Sequence, residues 1–383
     1  MPCRLPGYGT HAQYAFHVRP ITGNLSFKIP FLSFLCALCG ENFCLGSNLK
    51  PAAAAVAYNG GMKDFLPSLE TLQTAAAIVY QTIAPTPQYA WPLLKAAAGA
   101  EIWVKHENHT PIGAFKLRGG LVYFRDFSQC SGKSTGVISA TRGNHGQSVG
   151  FSAHQYAIPA TIVVPHGNSA EKNAAMRALG VELIEHGEDF QAARERAAWI
   201  AQQRGLHVVP SFHPLLVHGV ASYSLELLRA VPDLDVVYVP IGLGSGVCGM
   251  IAARNALGHR TEVVGVVSAH APAYALSFEQ RRAVEHPVTT RVADGMACRT
   301  PEPEALEILW RHLARIVQVT DDEVEEAMRL MYSATHNVAE GAGAAGLAAA
   351  LKERGRLAGR KAAVILSGAN VDREVFARQL AKT

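Results

Sequence analysis

The sequence predicts an α/β fold with parallel sheets covered on both faces, and three observations carry that prediction. Short β-branched runs recur along the chain, alanine-rich amphipathic stretches lie between most of them, and 49% of residues are hydrophobic against 17% charged. Strands alternating with helical patterns build βαβ units, whose crossovers lay helices on the sheet faces. The alanine content favours packed helices over an all-β sandwich. Strands are read at 102–105, 136–139, 161–164, 236–240, 263–267 and 363–367. Helices are read at 68–79, 171–179, 190–204, 220–231 and 247–257.

Bulk properties narrow the function classes. A length of 383 residues suggests two or three compact units. The formal charge of +4 is spread without long basic runs, which argues against nucleic acid as a partner. No stretch reaches 18 uninterrupted apolar residues, so no membrane span is expected. Cys130, Cys248 and Cys298 sit in apolar or small-residue contexts and read as buried free thiols. Cys36, Cys39 and Cys44 lie close together but lack a fourth ligand at a zinc-like spacing, so no metal site is assigned. An odd cysteine count points to a reducing, cytoplasmic compartment.

Residues 1–61 have no sustained helical or strand period. Their apolar run, 27–39, is interrupted by Lys28 and Pro30, and the distance to the Ala-Val-Ala at 55–57 is too wide for a signal peptide. The segment is read as a poorly ordered extension, or as codons upstream of a true start at Met62.

In parallel sheets, ligands bind beyond the carboxyl ends of strands, and four such places carry unusual chemistry. The first is Gly113-Ala114-Phe115-Lys116-Leu117-Arg118. A lone lysine is ordinarily solvated, and only its companions raise Lys116 above that. The second is Ser139-Ala140-Thr141-Arg142-Gly143-Asn144-His145, which follows a strand and opens a helix. Backbone N–H groups at such a helix start favour an anion such as a carboxylate. A plain turn with Asn144 in a left-handed conformation accounts for the asparagine, but not for the hydroxyl and imidazole beside it.

The third place, Gly242-Leu243-Gly244-Ser245-Gly246, lies between a strand and a helix and suits a phosphate. Gly244-Ser245-Gly246-Val247-Cys248-Gly249 also fits the dinucleotide fingerprint of a nicotinamide dehydrogenase. That reading needs an acidic residue after the next strand, and Ser268-Ala269-His270 supplies none. The fourth place is Ser367-Gly368-Ala369-Asn370 at the end of the last strand.

These four motifs, in this order, resemble the pyridoxal-phosphate enzymes of the tryptophan synthase β fold, and more narrowly the serine/threonine dehydratases. Ala293-Asp294-Gly295 and 339–344 are similar too, so the resemblance covers about 68–375. It implies two domains, each a mostly parallel twisted sheet flanked by helices. Residues 62–133 and 213–383 would form the large cofactor-binding domain and 134–212 a small mobile one, with no C-terminal regulatory domain. Feedback control through such a domain is then not expected, and a catabolic or specialised role follows. A homodimer is implied as well.

The resemblance also implies roles. Lys116 would hold pyridoxal 5'-phosphate as a Schiff base and then remove the substrate α-proton. Phe115 would pack beside the cofactor ring and Asn144 would hydrogen-bond its 3′-oxygen. The backbone of Gly242, Leu243, Gly244, Ser245 and Gly246 would bind the phosphate, and Ser367 would face the pyridine nitrogen. Thr141, Arg142, Gly143, Asn144 and His145 would cradle the substrate carboxylate. A serine at the ring nitrogen makes a milder electron sink than an aspartate, which favours elimination over transamination.

Four positions depart from the family. Arg142 stands where alanine or serine is usual. A guanidinium is a poor base, so racemisation is not expected. It could bind a second carboxylate, which suits 3-hydroxyaspartate. Leu243 replaces a phosphate-loop glycine and requires a negative φ there. Ser268 and Tyr274 replace the acids with which some relatives hold a cation, so no metal is expected.

The expected activity is dehydration and deamination of L-threonine or L-serine to a 2-oxo acid and ammonia. The alternatives are a dehydratase for 3-hydroxyaspartate or a bulkier β-hydroxy amino acid, and a catalytically dead cofactor-binding protein.

Overall fold

The computed structural model describes residues 66–130 and 135–382. The chain divides into two units, Met1–Gly61 and Met62–Thr383, and every described residue belongs to the second. The readings of 1–61, including Cys36, Cys39 and Cys44, lie outside the described residues.

Helix α1 (Leu69–Val79) leads to β1 (Gln88–Ala90), α2 (Pro92–Ala98) and β2 (Glu101–His106). The chain then alternates through α3 (Lys116–Cys130), β3 (Val137–Ala140), α4 (Asn144–Gln155), β4 (Ala160–Val164), α5 (Ala170–Ala178), β5 (Glu182–Glu185), α6 (Phe190–Arg204) and β6 (His207–Val208). Next come α7 (Pro214–Ala230), β7 (Val236–Pro240), α8 (Ser245–Ala256), β8 (Glu262–Ser268), α9 (Ala273–Gln280) and α10 (Pro303–His312). The last elements are β9 (Arg315–Val319), α11 (Asp321–Thr335), α12 (Gly341–Lys352), β10 (Lys361–Leu366) and α13 (Arg373–Leu380).

Two sheets result. The larger has the order β1-β2-β10-β7-β8-β9, parallel except for the edge strand β1, which pairs antiparallel with β2. The smaller, β5-β4-β3-β6, is parallel throughout. Alternate side chains of a strand face opposite sides, so a strand covered on both faces reads as one continuous apolar run. In β7, Val237 and Val239 join the core beneath α7, α8 and α10, while Val236 and Tyr238 join the one beneath α11 and α12. In the smaller sheet, Ile162 packs toward α3 and α4, and Val163 packs toward α6.

The apolar runs read as strands all lie in these sheets, and the differences have local causes. The helix read from 220 begins at Pro214, because proline fits the first helical position and the His213 ring accepts the Leu215 N–H. Strand β5 (Glu-Leu-Ile-Glu) is too short and charged to stand out. Helix α12 was not read because its sequence, Gly-Ala-Gly-Ala-Ala-Gly-Leu-Ala-Ala-Ala-Leu-Lys, looks like a flexible stretch. Its residues from Gly341 to Ala350 are all buried, and packing overrides weak intrinsic propensity. Cys248 and Cys298 are buried as expected, but Cys130, at the end of α3, is exposed. Among the described residues, no helix is long and apolar enough to cross a membrane.

Candidate active site

The segments that follow β2, β3, β7 and β10 converge on one cavity of about 770 Å³. Its walls include every site residue read from the sequence: Phe115, Lys116, Thr141, Arg142, Gly143, Asn144, His145, Gly242, Leu243, Gly244, Ser245, Gly246 and Ser367. This size lies within the range of small-molecule and cofactor sites.

Lys116 is the first residue of α3. Its Nζ donates to Ser245 Oγ at 3.1 Å and lies 5.1 Å from the Phe115 ring centroid. The side chain keeps partial access to the cavity, yet burial pushes its amine down to about 8. Burial acts this way because it disfavours the charged form. The loop is fastened by Phe115 N–H to Ser367 O at 3.0 Å and Ala369 N–H to Gly113 O at 2.9 Å. These bonds bring Lys116 and Ser367 to the same end of the sheet. The Ser367 side chain is buried, and its hydroxyl has no hydrogen-bond partner among the described residues.

The glycine-rich loop after β7 ends on Gly244, which caps α8 with φ +100° and no side-chain bond to the first turn. The free N–H groups of that turn give the cavity a concentrated positive end. The left-handed conformation falls on Gly244, and Leu243 is not among the residues with positive φ. The loop is held from outside: Tyr274 Oη donates to Leu243 O at 3.1 Å and accepts the Glu302 N–H at 3.1 Å. Tyr223 Oη donates to Gly246 O at 3.2 Å.

The loop after β3 differs from the turn that Asn144 suggested. The unusual backbone is at Gly143, and Asn144 already belongs to α4. A Cβ at Gly143 would lie 2.5 Å from Lys172 Cδ, so only glycine fits against that side chain. Thr141 Oγ1 accepts the Gly143 N–H at 3.0 Å. Asn144 is fixed on both sides: its Nδ2 donates to Glu340 Oε1 at 2.7 Å, and its Oδ1 accepts from Asn370 Nδ2 at 2.8 Å. His145 is buried and bonds the Pro210 carbonyl, while its Nε2 has no partner. Burial, and then the nearby Lys116 charge, push the imidazole down to about 3, so it is neutral. Arg142 is half-buried, and its guanidinium makes no hydrogen bond or ion pair among the described residues.

A second group of charges on the cavity wall was not assigned a role from sequence. Lys172 of α5 bonds Asp294 Oδ2 at 2.6 Å and lies 3.6 Å from Glu340 Oε2. Burial pushes the Glu340 carboxyl up to about 6, against the pull of Lys172. Burial would lower Lys172, but Glu340 and Asp294 outweigh it and hold the ammonium above its ordinary value. Asp294 and Glu340 stand within stretches noted in the sequence. Lys172 carries no signal, because a lysine in an alanine-rich helix reads as solvated.

Comparison with known proteins agrees with this geometry. The model of the pyridoxal-phosphate dependent enzyme family matches residues 79–368. An L-threonine ammonia-lyase of Thermotoga maritima is 31% identical over 82% of this chain and 78% of its own length. A biosynthetic L-threonine dehydratase of Haemophilus influenzae is 31% identical over 77% of this chain, which spans only 58% of that longer protein. The structure of the processed threonine deaminase isoform 2 of Solanum lycopersicum superposes with a TM-score of 0.75 at 26% identity, covering 84% of this chain and 96% of that one. The chain therefore belongs to the pyridoxal-phosphate dependent enzymes, among those of the serine/threonine dehydratase type.

The residues present fit that cofactor. The cavity offers a lysine amine of lowered pKa, an uncapped helix start for a phosphate and an unpartnered serine hydroxyl. It also holds buried polar atoms that lack a hydrogen bond, His145 Nε2 and Glu340 Oε2, the latter with only the ammonium of Lys172 at 3.6 Å. Buried polar groups left unpaired in a protein call for an explanation, and a polar occupant provides one.

Proposed function

We propose that this enzyme removes the α-proton and β-hydroxyl of a small β-hydroxy amino acid, L-threonine or L-serine, and releases a 2-oxo acid and ammonia. The observation that carries this reading is a lysine amine of lowered pKa sharing one cavity with Ser367 rather than with a carboxylate at the last strand's end. Threonine would lose water across Cα–Cβ and regain it on release of ammonia, so 2-oxobutanoate forms with no oxidant. Bound pyridoxal phosphate would supply the sink for the electron pair left on Cα.

The chain's own residues would do the rest. Lys116 would hold the cofactor through its amine and afterwards accept the α-proton. The loop from Gly242 to Gly244 and the start of α8 at Ser245 and Gly246 would bind the phosphate through backbone N–H groups. Asn144, oriented by Asn370 and Glu340, would aim its remaining amide proton at the cofactor's ring oxygen. Ser367 would share a hydrogen bond with the ring nitrogen without protonating it, which limits how long negative charge is stored. The Thr141–His145 loop, at the uncapped start of α4, would take the α-carboxylate. The four-stranded part, 134–212, would close over the substrate. A cytoplasmic homodimer completes the reading.

The test is 2-oxo-acid release by the purified holoenzyme with L-threonine, L-serine and their D-forms. Turnover of an L-substrate supports the proposal, and silence on all β-hydroxy amino acids overturns it. Bound cofactor without turnover would favour a protein that has lost catalysis.

A further inference from the structure

We propose that Arg142 recognises a second carboxylate, so that the site also takes β-hydroxy amino acids with an acidic side chain, of the 3-hydroxyaspartate class. This rests on the elimination chemistry proposed above and names a substrate class for it.

Arg142 and Lys172 lie on the same wall, and their circumstances differ. Lys172 is matched by Asp294 and Glu340. Arg142 is half-buried with no anion against it. A cation withdrawn from water ordinarily acquires a partner. The other acids on the cavity wall do not supply one: Asp189 caps α6 by accepting the Ala192 N–H at 2.9 Å, and Glu285 is exposed with no ion pair. Arg194 and Arg299 also line the cavity and add positive charge at exposed positions. His145 Nε2, three residues along, is also buried and unpartnered, and as the bare nitrogen of a neutral ring whose N–H is spent on the Pro210 carbonyl it calls for a donor such as a hydroxyl, leaving the carboxylate to Arg142.

The α-carboxylate does not use up this capacity. It has the uncapped first turn of α4, where Gly143 gives no side-chain cap. A planar guanidinium next to that turn can bind a further carboxylate through paired hydrogen bonds. The chemistry balances without a co-reactant. 3-Hydroxyaspartate loses its α-hydrogen and β-hydroxyl as water, regains water as ammonia leaves, and yields oxaloacetate.

The test compares wild type, Arg142→Ser and Arg142→Lys holoenzymes on threo-3-hydroxyaspartate and L-threonine. The expected result is that wild type turns over the dicarboxylic substrate. In Arg142→Ser the ratio of its kcat/KM to that of threonine should fall about 10–100-fold, with partial recovery in Arg142→Lys. Calorimetric titration with succinate, which lacks the reacting groups, should show binding to wild type weakened by a similar factor in Arg142→Ser, while butyrate should discriminate less. An unchanged substrate ratio, or succinate binding that ignores residue 142, overturns the assignment. So does a wild type that consumes threonine and rejects hydroxyaspartate. A wild type inert toward both amino acids defeats the elimination reading instead, and the succinate titration still decides the role of Arg142.

Discussion

Among the described residues, two clusters of buried charge stand at the cavity, one behind it and one on its wall, and they are completed differently. Behind it, Arg118 of α3 is fully buried between Glu107 and Glu226, with Lys105 and Thr86 closing the group. Both oxygens of Glu107 are taken, by Arg118 Nε at 2.6 Å, Arg118 Nη2 at 3.0 Å and Thr86 Oγ1 at 2.5 Å. Glu226 receives Tyr80, Arg118, Lys105 and the Thr86 N–H. On the cavity wall, Lys172, Asp294, Glu340 and Asn144 form an open group, in which Glu340 Oε2 lacks a hydrogen bond and Arg142 stands unpaired nearby. The saturated cluster stiffens the helix that carries Lys116. The unsaturated one keeps binding capacity for what enters. Between these two clusters, polar satisfaction separates scaffold from site where burial alone does not.

The sharpest test of that division is Lys116→Ala. The expected outcome is loss of 2-oxo-acid release by about 10⁴-fold, with a folded protein by circular dichroism. Near-normal turnover in this variant would remove Lys116 from the chemistry and blur the contrast.

Arg118→Met probes the closed cluster. Burial alone would lower the Arg118 pKa, but Glu107 and Glu226 raise it beyond its ordinary value. Removing the guanidinium strands Glu107, which has no solvent exposure. Urea unfolding should show a loss of about 3–5 kcal/mol, the usual effect of breaking a buried pair on one side. Activity per folded molecule should fall far less than in Lys116→Ala. A loss under about 1 kcal/mol, typical of surface pairs, would mean the cluster is not structural.

The two clusters were not equally legible in the sequence. Gly242–Gly246 and Thr141–His145 announced themselves because glycines and small polar residues after β-branched runs mark strand-to-helix turns, whereas Ser367 alone reads equally well as a plain turn. Lys116 gained meaning only from those companions. Arg118 drew no reading of its own within the first motif, since nothing local reveals that Glu226, 108 positions away, closes on it. Lys172 was hidden for the same reason: its partners arrive from 122 and 168 residues along the chain. Helix α12 was missed because burial, which the sequence does not display, holds its glycines helical.

A third test uses pH. The Lys116 amine must be neutral to attach the cofactor, and its value of about 8 sets the fraction available. The rate at which apoenzyme takes up pyridoxal phosphate, followed by absorbance, should rise about tenfold per pH unit from pH 6 and level off above about 8. A plateau already reached at pH 6 would require a more strongly depressed amine than this cavity produces.

The smallest expected effect concerns the open cluster. The Glu340 carboxyl is raised to about 6 in the folded chain, so the folded state binds a proton more tightly than the unfolded one. The stability this contributes is fully present below about pH 4.5 and is lost as pH rises through about 6. Glu340→Gln removes that titration while its amide oxygen can still accept from Asn144. Relative to wild type, the variant should therefore gain on the order of 1–2 kcal/mol in unfolding free energy between pH 4.5 and pH 7.5. Denaturant melts at the two pH values measure this directly. A variant that loses stability equally at both would mean that Lys172 already compensates the Glu340 charge in full despite the nearby Asp294, and the open cluster would then be as complete as the one around Arg118.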